Sequence, residues 1–225
     1  MLEKISEHIY LYPFDDDRNR PSIGYIYGKD FSVAIDAGHS KAHVEEFYAA
    51  LKAMHLPLPD ITILTHWHWD HTFGLAYIHG LSICEKRTED ALKAVIQDED
   101  YITRLRNTNP YFAKEFADQE CTPILPNLIF SQESTLYLGN LTLKLFHISS
   151  PHTEDCTCIY IEEERILFVG DAICGTYPNW EVDPEKNNLL IHALEKLDFT
   201  IAIGSHWRPF SKEKLLDDLH HLRIK

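Results

Sequence analysis

The segment Thr65-His66-Trp67-His68-Trp69-Asp70-His71 constrains this chain more than any other. Three imidazoles and a carboxylate fall between His66 and His71, directly after the apolar run Ile61-Thr62-Ile63-Leu64. His66 and His68 are two apart, so in extended backbone both point to the same side. Neutral imidazoles and carboxylates are the ligands that borderline divalent metals such as zinc prefer. The motif therefore predicts a metal site at the end of a buried strand.

A catalytic metal site needs more ligands than one short motif supplies, and the second half of the chain offers three in the same setting. His152 in Ser150-Pro151-His152-Thr153 follows a strand pattern ending near His147. Asp171 in Val169-Gly170-Asp171-Ala172 and His206 in Ile203-Gly204-Ser205-His206 each follow an apolar run. The repeated order of strand, loop and ligand is what carries the inference. His147 lies inside a strand pattern and reads as structural. His39 and His43 at a helix start, His79 by a turn, and His220 and His221 in the last helix read as surface groups. Trp67 and Trp69 alternate with the ligands and read as packing beside the site. Tyr177, Trp180 and Arg208 follow ligand loops and are candidates to contact substrate.

Short strands are predicted over His8–Tyr12, Ile23–Tyr27 and Phe31–Ile35, and a helix from its cap at Ser40 to about Met54. The Ile61–Leu64 strand enters the histidine motif. A short helix over Phe73–Ile78 and a strand near Leu81–Cys84 follow. Residues 87–119 change character, with charges interleaved with Leu, Ile, Tyr and Phe. They read as a helical insertion lying over the site, capped by Thr88 and divided by Pro110. Strands return at Thr135–Leu138, Leu141–His147, Thr157–Ile161 and Ile166–Val169. Asp183-Pro184 starts a helix to about Leu197, Phe199–Ile203 forms a strand, and Ser211 opens a final helix to about Leu222. Two rough halves of strands and helices imply two sheets packed face to face with helices outside. At 225 residues the simplest reading is one domain over 1–225.

Composition limits the partners. The formal net charge is −14, a surface that repels phosphate backbones, and no Lys/Arg-rich run suggests a nucleic-acid groove. No apolar run approaches the ~18–20 residues of a membrane span, and the first residues carry no secretory pattern. The five cysteines show no framework spacing and read as free thiols. Cys156 and Cys158 would pack on one strand face. A cytoplasmic protein acting on a small molecule is the expectation, with oligomeric state left open.

HWHWDH, then SPHT, GDAI and GSHW in that order, resemble the metallo-β-lactamase superfamily of hydrolases. Ile35-Asp36-Ala37-Gly38 resembles the family's early strand-end motif, in which the Asp is structural. The resemblance implies an α/β fold, an αββα sandwich of two mixed β-sheets, with a dinuclear site at one edge. By that likeness His66, His68 and His152 would hold one metal, Asp70, His71 and His206 the other, with Asp171 bridging. Two divalent ions are implied, zinc first, with iron or manganese as alternatives. Asp70 and Asp171 would be the catalytic carboxylates, and a bridging hydroxide the nucleophile.

The chain departs from the family pattern where Pro151 directly precedes His152 and where Asp155 and Cys156 follow. Further likenesses sort the subclasses. Asp171 and the lack of a secretory pattern argue against a β-lactamase. The short segment after His206 leaves no glutathione-binding region of the glyoxalase II kind. Cys174 stands where lactonases of the family carry a Tyr. The expected activity is hydrolysis of a small ester, thioester or lactone. A mononuclear-iron oxidoreductase resembling persulfide dioxygenases is the alternative.

Overall fold

Side-chain alternation decides which faces meet. Along β10 (Thr157–Ile161) and β11 (Ile166–Gly170), Ile159, Ile161, Ile166 and Phe168 enter a core shared by two sheets, whereas Cys158, Leu167 and Val169 pack outward beneath helices. The computed structural model describes residues 1–117 and 120–222. Residues 118–119 of the expected insertion and 223–225 of the expected domain lie outside the described residues.

The first sheet runs in chain order: β1 (Glu3–Lys4), β2 (Ile9–Tyr12), β3 (Ile23–Tyr27), β4 (Ser32–Ile35), β5 (Ile61–Ile63), β6 (Leu81–Glu85) and β7 (Leu128–Phe130). It is antiparallel from β1 to β4 and parallel from β4 to β7. The second sheet joins β8 (Ser134–Tyr137), β9 (Thr142–His147), β10, β11, β12 (Ile201–Gly204) and β13 (Phe210–Ser211) in the order β13-β12-β11-β10-β9-β8. Within it only β11 and β12 are parallel. Ile35, Ile63 and Ile83 of the first sheet meet Leu143, Leu145, Ile159 and Ile203 of the second in the central core.

Helices cover both outer faces. α1 (Lys41–Ala53) starts where the Ser40 hydroxyl accepts the His43 N–H, and its Phe47 and Leu51 pack on Ile23, Tyr25 and Ala34. α6 (Pro184–Lys196), with Asp183 as its cap and Pro184 in the first turn, and α7 (Lys212–His220) cover the second sheet. The expected αββα sandwich is present. No helix among the described residues is long and apolar enough to cross a membrane.

Parallel pairing places the ligand loops. β4 and β5 are parallel, as are β11 and β12, so within each sheet the C-terminal ends lie at one edge. The two edges are stitched together: the Ser22 N–H donates to Ser205 O at 2.7 Å, and the Thr157 N–H to Thr65 O at 2.8 Å. Gly170 has φ +56, and a Cβ there would lie 2.9 Å from Thr65 Cβ. A side chain at that position would push the two edges apart.

Several local expectations shift. The helix expected from Thr88 begins at Lys86, because the Glu85 side chain accepts the Arg87 N–H; it is α3 (Lys86–Gln97). Asn109 and Pro110 separate α4 (Tyr101–Thr108) from α5 (Pro110–Glu115) as the proline suggested. β1, β7 and β13, each two or three residues long, were not anticipated. His39 and His43, expected on the surface, are fully buried. α1 turns the His43 face inward with Phe47 and Leu51, and the His39 ring lies parallel to Trp69 at 5.4 Å.

Candidate metal centre

The histidine motif leaves β5 as extended backbone and turns into α2 (Trp69–Thr72), a single short turn. Its tryptophans are anchored by the helical insertion, Trp67 also meeting the His68 ring edge-on at 4.7 Å. Trp69 meets Phe112 of α5 edge-on at 5.1 Å, and Trp67 meets Tyr101 of α4 at 6.3 Å. The helices between β6 and β7 thus pack against the residues that alternate with the ligands.

All seven expected ligands converge. His66, His68 and His152 form one group whose ligand atoms lie within 4.8 Å of one another, and Asp70, His71 and His206 form a second. Asp171 stands between them, its Oδ2 3.4 Å from His71 Nε2, 3.6 Å from His206 Nε2 and 3.9 Å from His152 Nε2. Asp70 Oδ2 lies 3.6 Å from His71 Nε2 and 3.3 Å from His206 Nε2. His68 Nδ1 and His152 Nε2 face each other at 3.0 Å. Ligand atoms about 2.0–2.1 Å from a tetrahedral zinc ion stand about 3.3 Å apart, so this spacing fits such an ion.

Partners behind the rings set which nitrogen faces inward. The His71 Nδ1–H donates to Asp36 Oδ2 at 2.8 Å, and the His152 Nδ1–H to the Gly175 carbonyl at 2.8 Å. His66 Nδ1 lies 3.1 Å from the Thr65 hydroxyl, which in turn donates to Asp36. Such partners fix tautomer and orientation and raise ligand basicity. The inward atoms His66 Nε2, His71 Nε2 and Asp171 Oδ1 are buried without hydrogen-bond partners. Unpartnered buried polar atoms are costly, and cations held at the two groups would satisfy them.

The electrostatics agree with that fit. Burial opposes ionisation of Asp171, but the charges of His206 and His71 outweigh it and hold its carboxyl well below the usual range. Asp70 is likewise held low against burial by His71 and His206. Burial, with His152 beside it, pushes His68 down to about 3 and so keeps its imidazole neutral. Against burial, the facing carboxylates Asp70 and Asp171 raise His71 and His206 above the ordinary histidine value. Neutral imidazoles and ionised carboxylates are the forms that bind metal, so a cation taking this site would displace those protons.

Other candidates divide. The Trp180 ring is parallel to His152 at 6.3 Å, Tyr177 meets Trp180 edge-on at 5.7 Å, and both are more than two-fifths exposed. Arg208 is exposed in the loop after His206. His147 is exposed and its ring meets the Glu154 carbonyl, away from the cluster. Cys156 and Cys158 both pack outward in the core beneath α6 and α7. Two contributors were not anticipated. Cys174 Sγ is 3.2 Å from His152 Nδ1, and Asn19 Nδ2 is 3.4 Å from Asp70 Oδ2. Cys174 had a signal in its place three residues after Asp171; Asn19 sits in a polar loop with none.

Residues 17–212 match the sequence profile of the metallo-beta-lactamase superfamily. The chain belongs to that superfamily. It is 25% identical to the atrochrysone carboxyl ACP thioesterase of Aspergillus fumigatus over 183 residues, which cover 81% of this chain and 49% of that protein. It is also 25% identical to the human acyl-coenzyme A thioesterase MBLAC2 over 186 residues, covering 74% of this chain and 63% of the relative. The chain thus matches 49% to 63% of the length of these curated relatives. A metallo-beta-lactamase from Pontibacter korlensis superposes with TM-score 0.72 at 18% identity, covering 100% of this chain and 99% of that one. The sec-alkylsulfatase Pisa1 from Pseudomonas sp. superposes with TM-score 0.71 at 15% identity, covering 99% of this chain and 40% of that one. These structural likenesses speak to the fold alone.

Proposed function

We propose that the chain is a dinuclear zinc hydrolase that cleaves acyl thioesters of small-molecule carriers. The observation that carries this reading is the convergence of seven ligand atoms into two groups sharing Asp171. Relatives that act on acyl-carrier and coenzyme A thioesters point to the bond cleaved. His66, His68 and His152 would hold one ion, and Asp70, His71 and His206 the other, with Asp171 shared. Two ions held there would supply a water acidified to a pKa of about 7 and a polarised carbonyl.

The chain's own groups do the rest. Asp36, Thr65 and the Gly175 carbonyl hold three imidazoles in the required tautomers. Asp70 and Asp171 stay ionised, offset the positive charge, and orient the attacking water. Trp180 and Tyr177 form an exposed aromatic wall beside His152 for the acyl part, and Arg208 stands in the neighbouring loop. In this reading residues 1–225 form one hydrolase domain, and the 87–119 insertion braces the ligand motif through Trp67 and Trp69.

Metal analysis of protein purified without added metal, combined with a panel of thioesters, esters, lactones and β-lactams, tests the proposal. About two zinc ions per chain and a preference for thioesters are expected. One iron per chain with thiol-dependent oxygen uptake would replace it with the oxidoreductase alternative.

A further inference from the structure

The connection between β2 and β3 brings a polar group to the metal centre that no motif marks. Asn19 adopts the left-handed conformation (φ 52) at the end of the 3₁₀ turn Asp16–Arg18. Its Nδ2 lies 3.4 Å from Asp70 Oδ2, the same oxygen that faces His206 Nε2 at 3.3 Å and His71 Nε2 at 3.6 Å. The amide therefore contacts the carboxylate oxygen that faces the imidazoles of the second ligand group.

The loop around Asn19 is clamped by charge, since the 3₁₀ turn buries no residue of its own. Arg18 donates to Asp15 at 2.6 Å and to Glu46 at 3.1 Å. Arg20, almost fully buried, reaches Glu46 at 2.9 Å and Glu115 of α5 at 3.0 Å. Paired backbone hydrogen bonds between Asp15 and Arg20, at 2.9 and 3.0 Å, close the loop. Two residues on, the Ser22 N–H is held by Ser205, the neighbour of His206. Burying a guanidinium costs several kcal/mol unless its partners are well placed. The position those partners fix is that of the residue between the two arginines, Asn19.

We infer that Asn19 is a catalytic residue that donates an Nδ2–H hydrogen bond to the substrate's carbonyl oxygen. The inference rests on the thioester-hydrolase reading of the same centre. As water oxygen adds to the thioester carbon and loses a proton, the carbonyl π pair moves onto oxygen, where the amide hydrogen meets the growing charge. Collapse re-forms the carbonyl and breaks the C–S bond, and the departing thiolate takes up the proton that the water gave. Preorganised donors aimed at a developing oxyanion contribute far more in the transition state than in the ground state.

Asn19→Gly tests this cleanly, because glycine keeps the left-handed backbone while removing the amide. Asn19→Asp keeps the side-chain shape but offers no N–H. With an acyl thioester as substrate, both variants are expected to lose kcat by roughly 10–100-fold with KM within about twofold. The cobalt-substituted Asn19→Gly variant is expected to bind as much cobalt as the wild type and to share its visible spectrum. A merely structural prop for Asp70 would shift that spectrum, and such a shift would overturn the inference. Unchanged kcat in either variant would overturn it too. A wild type inactive on every thioester would sink the hydrolase reading and the inference together, whereas active variants beside an active wild type sink the inference alone.

Discussion

Two polar clusters lie side by side in this protein, and they are buried in opposite ways. In the clamp around Arg20 each charged head has an opposite charge in reach: Arg20 with Glu46 and Glu115, and Arg18 with Asp15 and Glu46. The Ser40 hydroxyl adds a hydrogen bond to Glu115. In the ligand cluster, by contrast, His66 Nε2, His71 Nε2 and Asp171 Oδ1 are buried without hydrogen-bond partners on residues whose ligand atoms converge within 4.8 Å. The clamp atoms that lack a hydrogen bond, Arg20 Nε and Nη1, belong to a guanidinium paired with two carboxylates. Burial of polar groups is thus no mark of a site by itself. What separates a binding centre from a brace is convergence of unpaired ligand atoms, with partners behind His66, His71 and His152 that fix their tautomers.

The strongest way to break this comparison is to remove a shared ligand. Asp171→Ala is expected to lower hydrolysis by at least about a thousandfold, since several kcal/mol of charge stabilisation go with the metal and tenfold in rate is about 1.4 kcal/mol. Bound metal per chain should fall while far-ultraviolet circular dichroism stays native. A variant that retained both activity and metal content would show that Asp171 is not shared between two ions.

The clamp should fail in the complementary sense. Arg20→Met leaves the partly buried Glu115 without its guanidinium, a loss of charged hydrogen bonds expected to cost about 2 kcal/mol of stability. Urea unfolding reads the loss, and metal bound per folded chain should be unchanged. If stability held and metal were lost, the roles assigned to the two clusters would have to be exchanged.

The ligand cluster was legible in the sequence and the clamp was not, for a physical reason. His66, His152, Asp171 and His206 each follow an apolar run, so a local pattern of strand, loop and ligand announces them. Arg20 and Glu115 are 95 residues apart and are brought together by the tertiary packing that also sets α5 against Trp69. Nothing local distinguishes those charges from solvated ones. Asn19 shares that origin, because its place is set by the clamp. His43 is a different case: its signal was present, with His43, Phe47 and Leu51 at i, i+4 and i+8 on one face of α1. A histidine's polarity made a surface position the default, and helical periodicity was the better guide. The short edge strand β7 was hidden for the opposite reason, since two of its three residues are exposed and its pattern is too brief to read.

That buried histidine supplies the smallest expected effect, and it probes the brace without touching a ligand. Burial, reinforced by the nearby charges of His39 and Arg20, holds the His43 pKa well below its ordinary 6.5. The unfolded chain therefore binds a proton near pH 6.5 that the folded chain refuses. A group of this kind contributes full stability above the unfolded pKa and loses it as pH falls below 6.5, by up to about 1.4 kcal/mol per pH unit. Glu115 does not share that window. Burial opposes its ionisation, but the hydrogen bond from Ser40 and the charges of His39 and Arg20 outweigh it and hold its carboxyl below 4.5, so its contribution is lost only at lower pH. His43→Gln keeps an acceptor for the His39 N–H, which lies 3.4 Å from the present Nδ1, and removes the titration. The stability advantage of the wild type over this variant should therefore shrink by roughly 1–2 kcal/mol between pH 7 and pH 5. Urea denaturation at the two pH values measures it, and an advantage that stayed constant would mean that His43 takes up its proton in the folded protein as readily as in the unfolded one.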